Sequence, residues 1–184
     1  MDLLKAVNTV LPHLGEHVID RVQGAKHPTV DLILSAIERN KQSVLAEGLW
    51  FNELILTIPV NTDGQIDAPN DAIAIYGQDC NVELDGTRLV DLDTGSRYFT
   101  KPVTVKIMRD VDFEKLPVNV ALYLTYSAGS EVYLQDYGVE GSVQELQRLA
   151  NRSWVLVTQE NLRKRKYNSQ KKTGHRYRNA IRFR

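Results

Sequence analysis

Residues 142–184 read SVQELQRLANRSWVLVTQENLRKRKYNSQKKTGHRYRNAIRFR, and the two halves of this stretch differ in character. Ser142 and Glu145 have the spacing of a capping box, in which each side chain satisfies a free backbone N–H of the other residue. Apolar residues then recur at roughly 3.6-residue spacing, which is typical of a helix that buries one face: Val143, Leu146, Leu149, Ala150, Trp154, Val157 and Leu162. The pattern predicts a helix that ends at about Lys166.

The second half of the stretch is a basic arm. Between Arg163 and Arg184 there are ten Lys or Arg residues and no Asp or Glu. The whole chain has 23 basic and 23 acidic residues, so residues 1–162 keep 13 basic and 23 acidic residues, a net charge of −10. The net charge of zero is therefore the sum of an acidic body, residues 1–162, and a cationic arm, residues 163–184. Because the arm has too few apolar groups to offset ordering entropy, it is either free or bound to a partner.

The end of the arm has a pattern of its own. Basic and apolar residues alternate with a period of two, which only an extended strand converts into one basic and one apolar face: Arg176, Tyr177, Arg178, Ile181, Arg182, Phe183 and Arg184. In an extended conformation these residues reach about 30 Å. A solvated tail is one interpretation of this composition. We favour the other interpretation, a docking strand that orders on a partner protein.

Chain length, composition and cysteine content indicate how many domains the protein can form and which compartment suits it. A chain of 184 residues with 42% hydrophobic residues can form one domain with a core, or one domain with a modest insertion. The single cysteine, Cys80, excludes an internal disulfide and fits a reducing compartment. The sequence has neither an N-terminal apolar signal region nor an apolar run of membrane length, so we expect a protein made in a cytoplasm.

The first third of the chain predicts two helices. Asp2 to Leu14 is a short amphipathic segment, in which Pro12 is expected to kink the last turn and Gly15 to end the helix. Pro28 opens a second helix, which Gly48 ends. Its apolar face follows the helical period: Val30, Ile33, Ile37, Val44 and Leu45.

Residues 52–110 predict a small β module inserted between helices. Trp50 to Val60 is apolar and β-branched, as expected of a strand. Shorter strands are predicted further on, with Asp85-Gly86 as a two-residue hairpin turn: Ala72 to Tyr76, Asn81 to Leu84, Thr87 to Asp91, Tyr98-Phe99 and Val103 to Met108.

Residues 116–137 fit both a strand and a helix, and their length favours a helix because strands seldom exceed ten residues. This helix and the one after Ser142 are expected to pair as an antiparallel hairpin. The predicted fold is α+β: a discontinuous helical bundle (1–51 and 111–167), the inserted antiparallel β module (52–110) and an extended basic C-terminal arm (168–184).

Several short segments resemble the tail tubular protein A family, the head-to-tail adaptors of short-tailed, podovirus-type bacteriophages. They occur in the family's order over about residues 5–135: Ala6-Val7-Asn8, Leu11, Leu14-Gly15-Glu16, Gly48-Leu49-Trp50-Phe51-Asn52, Val103-Thr104-Val105, Ile107-Met108-Arg109 and Phe113 to Pro117. The order and spacing of these segments carry the resemblance more than any single segment does. The basic end of the chain cannot be matched to the family residue by residue.

The resemblance implies a structural virion protein at the head–tail junction, without a cofactor or metal. It implies a dodecameric ring that contacts the portal and the tail nozzle, with tail fibres as a further partner, and that borders the channel through which double-stranded DNA leaves. We expect no membrane partner. The predicted portal-docking residues are Arg163, Lys164, Arg165, Lys166, Tyr167, Lys171, Lys172, Arg176, Tyr177, Arg178, Ile181, Arg182, Phe183 and Arg184. Expected core or subunit-interface anchors are Trp50, Phe51, Tyr126, Tyr133 and Trp154.

Catalytic and metal-binding interpretations are weaker. Asp93-Thr94-Gly95-Ser96 spells an aspartic-protease motif, but that chemistry needs two carboxylates that share a proton, and the same letters form an ordinary turn. His13 and His17 have the spacing of two metal ligands, yet Gly15 separates them and no third ligand is near. The acidic stretch with Asp63, Asp67 and Asp71 lacks the spacing of a calcium loop. A tail-associated hydrolase is therefore only a remote alternative.

A nucleic-acid-binding protein is the main alternative function. Arg and Lys side chains interleaved with Tyr and Phe can neutralise phosphates and stack on bases. The acidic body would repel a DNA duplex, however, so only the arm could bind it.

Overall fold

The computed structural model describes residues 1–22, 24, 27–138 and 141–165. Within those residues the chain has four α-helices, α1 (Leu3–Val10), α2 (Pro28–Ala46), α3 (Val118–Asp136) and α4 (Gly141–Lys164). It also has five strands, β1 (Glu53–Ile58), β2 (Ala72–Gly77), β3 (Val82–Asp85), β4 (Arg88–Asp91) and β5 (Val103–Arg109). The predicted α+β class is confirmed. The predicted extended arm, 168–184, lies outside the described residues.

The first helix is shorter than predicted. Asp2 caps α1, since its carboxylate accepts a hydrogen bond from the backbone N–H of Lys5 at 2.7 Å. Pro12 has no N–H to continue the helical hydrogen bonds. The chain therefore tightens into a 3₁₀ turn over Leu11–Leu14, which Gly15 ends at a φ of 73°. The kink expected at Pro12 and the stop at Gly15 are both confirmed.

Helix α3 is the centre of the helical part, because it packs against α1, α2 and α4. Helices α3 and α4 run antiparallel, as predicted: the Asn119 amide donates to Glu160 at 3.4 Å, and the Tyr123 and Trp154 rings lie 4.8 Å apart. The length argument for a helix over 116–137 is also confirmed. Buried side chains of the four helices and of the 3₁₀ turn after α1 contribute to one hydrophobic cluster, whose largest members include Leu11, Ile33, Ile37, Leu45, Leu124 and Leu146.

The capping box predicted at the start of α4 is wrong. The helix begins at Gly141, so Ser142 lies inside the first turn instead of preceding it. The Glu145 carboxylate pairs with the guanidinium of Arg148, one turn further along, at 2.7 and 2.8 Å. A residue inside the helix cannot take the extended conformation of an N-cap, so Ser142 cannot form the capping box.

The β module contains a three-stranded antiparallel sheet in the order β1-β5-β2, and a separate hairpin of β3 and β4. Strand β5 is central, and its inward residues pair with apolar residues of both neighbours, as in the pairs Leu56–Val105 and Ile75–Ile107. A second hydrophobic cluster forms beneath these strands: Ile58, Ile66, Ile75, Val82, Leu89, Val103, Val105 and Ile107.

Three strand predictions need correction. Strand β1 begins at Glu53 instead of Trp50, because hydrogen bonds within 49–52 hold those residues in a turn. In the hairpin Asp85 pairs with Arg88, so the two-residue turn is 86–87 and not Asp85-Gly86. Tyr98-Phe99 is not a strand: Tyr98 is 68% exposed, and the Phe99 N–H donates to the Gly64 carbonyl in a loop.

Asn52 joins the helical part to the sheet. It is 2% exposed, and its carbonyl oxygen accepts a hydrogen bond from the Leu49 N–H at 2.7 Å. Its amide donates to the carbonyl of Leu45, in the last turn of α2, at 2.8 Å, and to the carbonyl of Arg109, at the end of β5, at 3.1 Å. One buried side chain therefore satisfies backbone groups of α2, of the following turn and of β5.

Replacement of Asn52 by alanine should destabilise the fold. Three hydrogen bonds to backbone groups would be lost, two of them buried and one partly buried, and we expect the free energy of unfolding to fall by about 2–4 kcal/mol. Urea unfolding followed by circular dichroism measures the change. Asn151→Ala, at an exposed position of α4, is the matched control and should change stability by less than about 0.5 kcal/mol. Equal stability of the two variants would contradict the role given to Asn52.

Candidate interaction site at the base of the C-terminal arm

The last turns of α4 are fastened to the segment between α2 and β1. The side-chain oxygen of Asn161 accepts a hydrogen bond from the backbone N–H of Trp50 at 3.0 Å. The Arg165 guanidinium donates to the carbonyl of Gly48 at 2.9 Å. Since the partners are 111 and 117 residues apart in sequence, these two bonds fix the end of α4 by tertiary contacts.

Glu53 lies between two cations at the same place. Its carboxylate binds the guanidinium of Arg165, the residue that follows α4, and, at 3.0 Å, the Lys106 ammonium of β5. The Glu53 side chain is 20% exposed, so the two ion pairs are partly shielded from water and are screened less than surface pairs. The start of β1, the middle of β5 and the end of α4 therefore meet at one carboxylate.

Gly48 permits this close packing. Its φ of 73° is a conformation that glycine adopts without strain. A Cβ atom at this position would lie 2.6 Å from the Cε atom of Met108 in β5. The positive φ favours glycine at this position, and a side chain there would also displace the end of the flexible Met108 side chain.

Only the first three predicted docking residues lie within the described chain, and they differ from one another. Arg163 and Lys164 are exposed. Arg165 instead binds Gly48 and Glu53, so it holds the base of the arm against the body. The other predicted docking residues lie outside the described residues, from Lys166 and Tyr167 through Lys171, Lys172, Arg176, Tyr177, Arg178, Ile181 and Arg182 to Phe183 and Arg184. Their docking role stays a prediction.

The predicted aromatic anchors contact the helical core. Tyr133 is 6% exposed, and the other four are partly buried against the same cluster. Trp50 and Phe51 form an edge-to-face pair with ring centroids 5.2 Å apart. Trp154 stacks on Tyr123, while Tyr126 packs on the cluster. Tyr133 is therefore part of the cluster and the other four pack against it; a role for any of them as an anchor at a subunit interface stays a prediction.

The Asp93-Thr94-Gly95-Ser96 segment is a turn organised by the preceding carboxylate. Asp91 accepts hydrogen bonds from the Asp93 N–H at 2.9 Å and the Thr94 hydroxyl at 3.0 Å. These hydrogen bonds lower the pKa of the Asp91 carboxyl below its ordinary value. The Asp93 carboxylate, which would be the catalytic one, is exposed and accepts only a long hydrogen bond from Asn81 at 3.3 Å. The turn interpretation of this motif is therefore confirmed.

The other candidate ligands are dispersed. His13 lies in the 3₁₀ turn and His17 beyond Gly15, so they do not share a helix face. Asp67 and Asp71 bind Arg88 and Arg109, respectively. Within the described ranges, His, Cys, Asp and Glu side chains form no group of three that could hold a metal ion. In the same part of the chain, every helix is too short or too polar to cross a membrane.

Sequence patterns did not reveal the residues that build this site. Asn52, Glu53, Lys106 and Asn161 act through partners far along the chain, and no local spacing marks such pairs. Asn52 did stand in the Gly48-to-Asn52 segment that carried the family resemblance. A polar residue just before an apolar strand was the available signal, and its burial is what gives it a structural role.

Comparisons with known proteins identify the class of protein. A family model described as tail tubular protein matches residues 4–167. The chain is also 32% identical over 170 residues to Tail tubular protein A of Klebsiella phage KP34, and the match covers 91% of each chain. The protein is therefore a structural component of a bacteriophage tail. It belongs to the tail tubular protein family, as the sequence resemblance predicted, and residues 168–184 lie beyond the range that the family model matches.

Removal of the fastening at the end of α4 should loosen its last turns. The double variant Asn161→Ala and Arg165→Ala loses the contacts to Trp50, Gly48 and Glu53, so its backbone amides from 158 to 165 should exchange with deuterium at least about tenfold faster. Hydrogen–deuterium exchange with mass spectrometry measures the rate. Arg163→Ala, an exposed cation of the same turn, should leave exchange unchanged. Equal exchange in all three proteins would contradict the fastening.

The turn after β4 should depend on Asp91 and not on Asp93. Asp91→Ala should speed amide exchange at Asp93, whereas Asp93→Asn should not. Because the folded pKa of Asp91 is lowered, its contribution is present above its ordinary pKa of about 3.9 and is lost as the pH falls through the lower folded value. Amide exchange by NMR between neutral pH and pH values below the folded pKa measures this. Faster exchange in Asp93→Asn than in Asp91→Ala would overturn the assignment.

Proposed function

We propose that this protein is a head-to-tail adaptor. Copies form a dodecameric ring between the portal and the tail nozzle, the ring borders the DNA exit channel, and the C-terminal arm docks to the portal. The observation that carries the proposal is the family match over residues 4–167, which makes the body a tail tubular protein. The synthesis of the subunits in the host cytoplasm, and tail fibres as a further partner, belong to the same proposal.

The opposite net charges of the body and the arm support different binding roles for these two parts. Residues 1–162 have a net charge of −10, whereas residues 163–184 contain ten basic residues and no acidic residue. A negatively charged channel wall repels DNA phosphates and so lets the duplex slide. The arm can instead form Arg–carboxylate pairs with a protein partner, in addition to strand pairing.

The geometry at the base of the arm supports docking at a fixed place. Asn161 and Arg165 hold the last turn of α4 against Trp50, Gly48 and Glu53. The start of the arm therefore has a defined position on the body. A partner that captures the arm is then positioned relative to the whole subunit, with less entropy lost than if the base were free.

Binding of DNA by the arm is the second candidate, and the interleaved Arg and Tyr side chains are the observation that favours it. The two functions differ in their response to salt. Phosphate binding loses affinity steeply as salt rises, because counterions are released on binding. A strand that pairs through backbone hydrogen bonds depends on salt much less.

Deletion of residues 168–184 tests the proposal. The truncated protein should keep the thermal midpoint and circular dichroism of the full chain, since α4 ends at Lys164, but it should not attach to portal-bearing heads. Co-sedimentation with purified heads measures attachment. Normal attachment of the truncated chain would contradict a docking role for the arm.

A scrambled arm is the matched control for charge. It keeps the composition of residues 168–184 and removes the alternation of basic and apolar residues. If strand pairing drives docking, the scrambled arm should attach at least about tenfold more weakly than the natural arm. If the arm only binds DNA or any acidic surface, the two arms should behave alike.

A further inference from the structure

Helix α4 has an exposed face opposite the side that packs on α3. The buried side of the helix is formed by residues such as Leu146, Ala150 and Val157. On the opposite side three apolar side chains remain largely exposed to solvent: Val155 at 53%, Leu156 at 43% and Leu162 at 48%. Val155 and Leu162 are seven residues apart and therefore lie on one face of the helix. Exposed apolar side chains on one helix face can form a surface that another molecule contacts.

Two cations flank this apolar face. Arg152 and Arg163 are exposed and lie within one turn of Val155 and Leu162, respectively. In the described part of the chain, the neighbouring ion pairs are made by Arg148 of α4 and by Arg165, which directly follows the helix. We call Arg152, Val155, Leu156, Leu162 and Arg163 the α4 outer face. It combines exposed apolar area with positive charge that has no acidic partner among the described residues.

The open end of the β3–β4 hairpin has the opposite charge. Asp79 and Asp93 are exposed, and together with Asp91 they surround Cys80, whose pKa is raised by burial and by these three carboxylates. Leu92 is 48% exposed and Tyr98 is 68% exposed. We call Asp79, Leu92, Asp93 and Tyr98 the hairpin end.

A groove of about 460 Å³ runs along this end of the hairpin, lined by Asp79, Asp91, Tyr98 and Lys101 among others. The groove lining therefore contains the carboxylates of Asp79 and Asp91 and the ammonium group of Lys101, and the exposed carboxylate of Asp93 lies near Cys80 in the same lining. Exposed apolar residues beside unpaired charge are typical of a surface that a protein partner covers.

We propose that the α4 outer face of one copy binds the hairpin end of a second copy. The two surfaces match in kind: two arginines face two aspartates, and Val155 and Leu162 face Leu92 and Tyr98. Because different patches of the chain meet, the contact is heterologous, and a rotation that divides a full turn closes it into a ring. The inference rests on the proposed ring and assigns the surfaces that build it.

Charge reversal tests the contact without touching the core or residues 168–184. Variant A carries Arg152→Glu and Arg163→Glu, and variant B carries Asp79→Lys and Asp93→Lys. Arg163, in variant A, is also one of the predicted docking residues, so variant B, which leaves the whole arm unchanged, is the independent test. Each variant places like charges across the contact, so each should associate with itself at least about tenfold more weakly than the natural protein. Sedimentation velocity over a concentration series measures self-association. Lys5→Glu with Arg21→Glu, both at exposed positions elsewhere, changes net charge as variant A does and should not weaken association.

A mixture of A and B gives the decisive result. The acidic α4 face of A fits the basic hairpin end of B, and the natural faces fit in the other direction, so the mixture should associate as the natural protein does. Failure of the mixture to associate, or full association of A or B alone, would overturn the assignment of surfaces while leaving a ring possible. A natural chain that stayed monomeric at every concentration would overturn both this contact and self-assembly of the proposed ring. Attachment to portal-bearing heads through the arm is a separate measurement.

Discussion

The structure depends on one junction, where the side chain of Asn52 and the carboxylate of Glu53 hold together elements from both ends of the chain. Asn52 binds the end of α2 and the end of β5, and Glu53 binds β5 and the end of α4. The helical part and the β module have separate hydrophobic clusters, so apolar packing connects the two parts through only a few contacts. At this junction buried and partly buried polar groups orient the elements that they join, because a hydrogen bond constrains geometry more tightly than apolar burial does.

Periodicity predicted the helices well, because an apolar face repeats along a single segment. Helix α3 is the clearest example: Val120, Leu124 and Ala128 are buried at helical spacing. The predicted start of the first strand, between α2 and β1, was wrong, because the turn there depends on one buried side chain and not on a repeating pattern. Trp50 to Ile58 is mostly apolar and contains several β-branched residues, yet the side chain of Asn52 closes a turn over its first residues. Only the fold shows that this amide is buried.

The hairpin and the arm show two further limits of sequence reasoning. Asp-Gly is a strong turn signal, but the Asp85 carboxylate binds Arg97 and the strand pairing continues through Asp85 to Arg88, so the turn moves by one residue. Arg165 belonged to the basic run, and composition gave it the same role as its neighbours. Its contact with Glu53, 112 residues away, is a property of the folded chain that no local pattern contains.

In the proposed adaptor an acidic body is joined to a cationic arm whose base is held at Glu53. A cryo-EM map of the assembled head–tail junction is the most direct test of this proposal. We expect residues 168–184 to run as an extended strand along the portal, with their arginines opposite portal carboxylates and the base of each arm at Glu53. Arms that lie against the DNA in the channel, or that fold back on their own subunit without touching the portal, would contradict it.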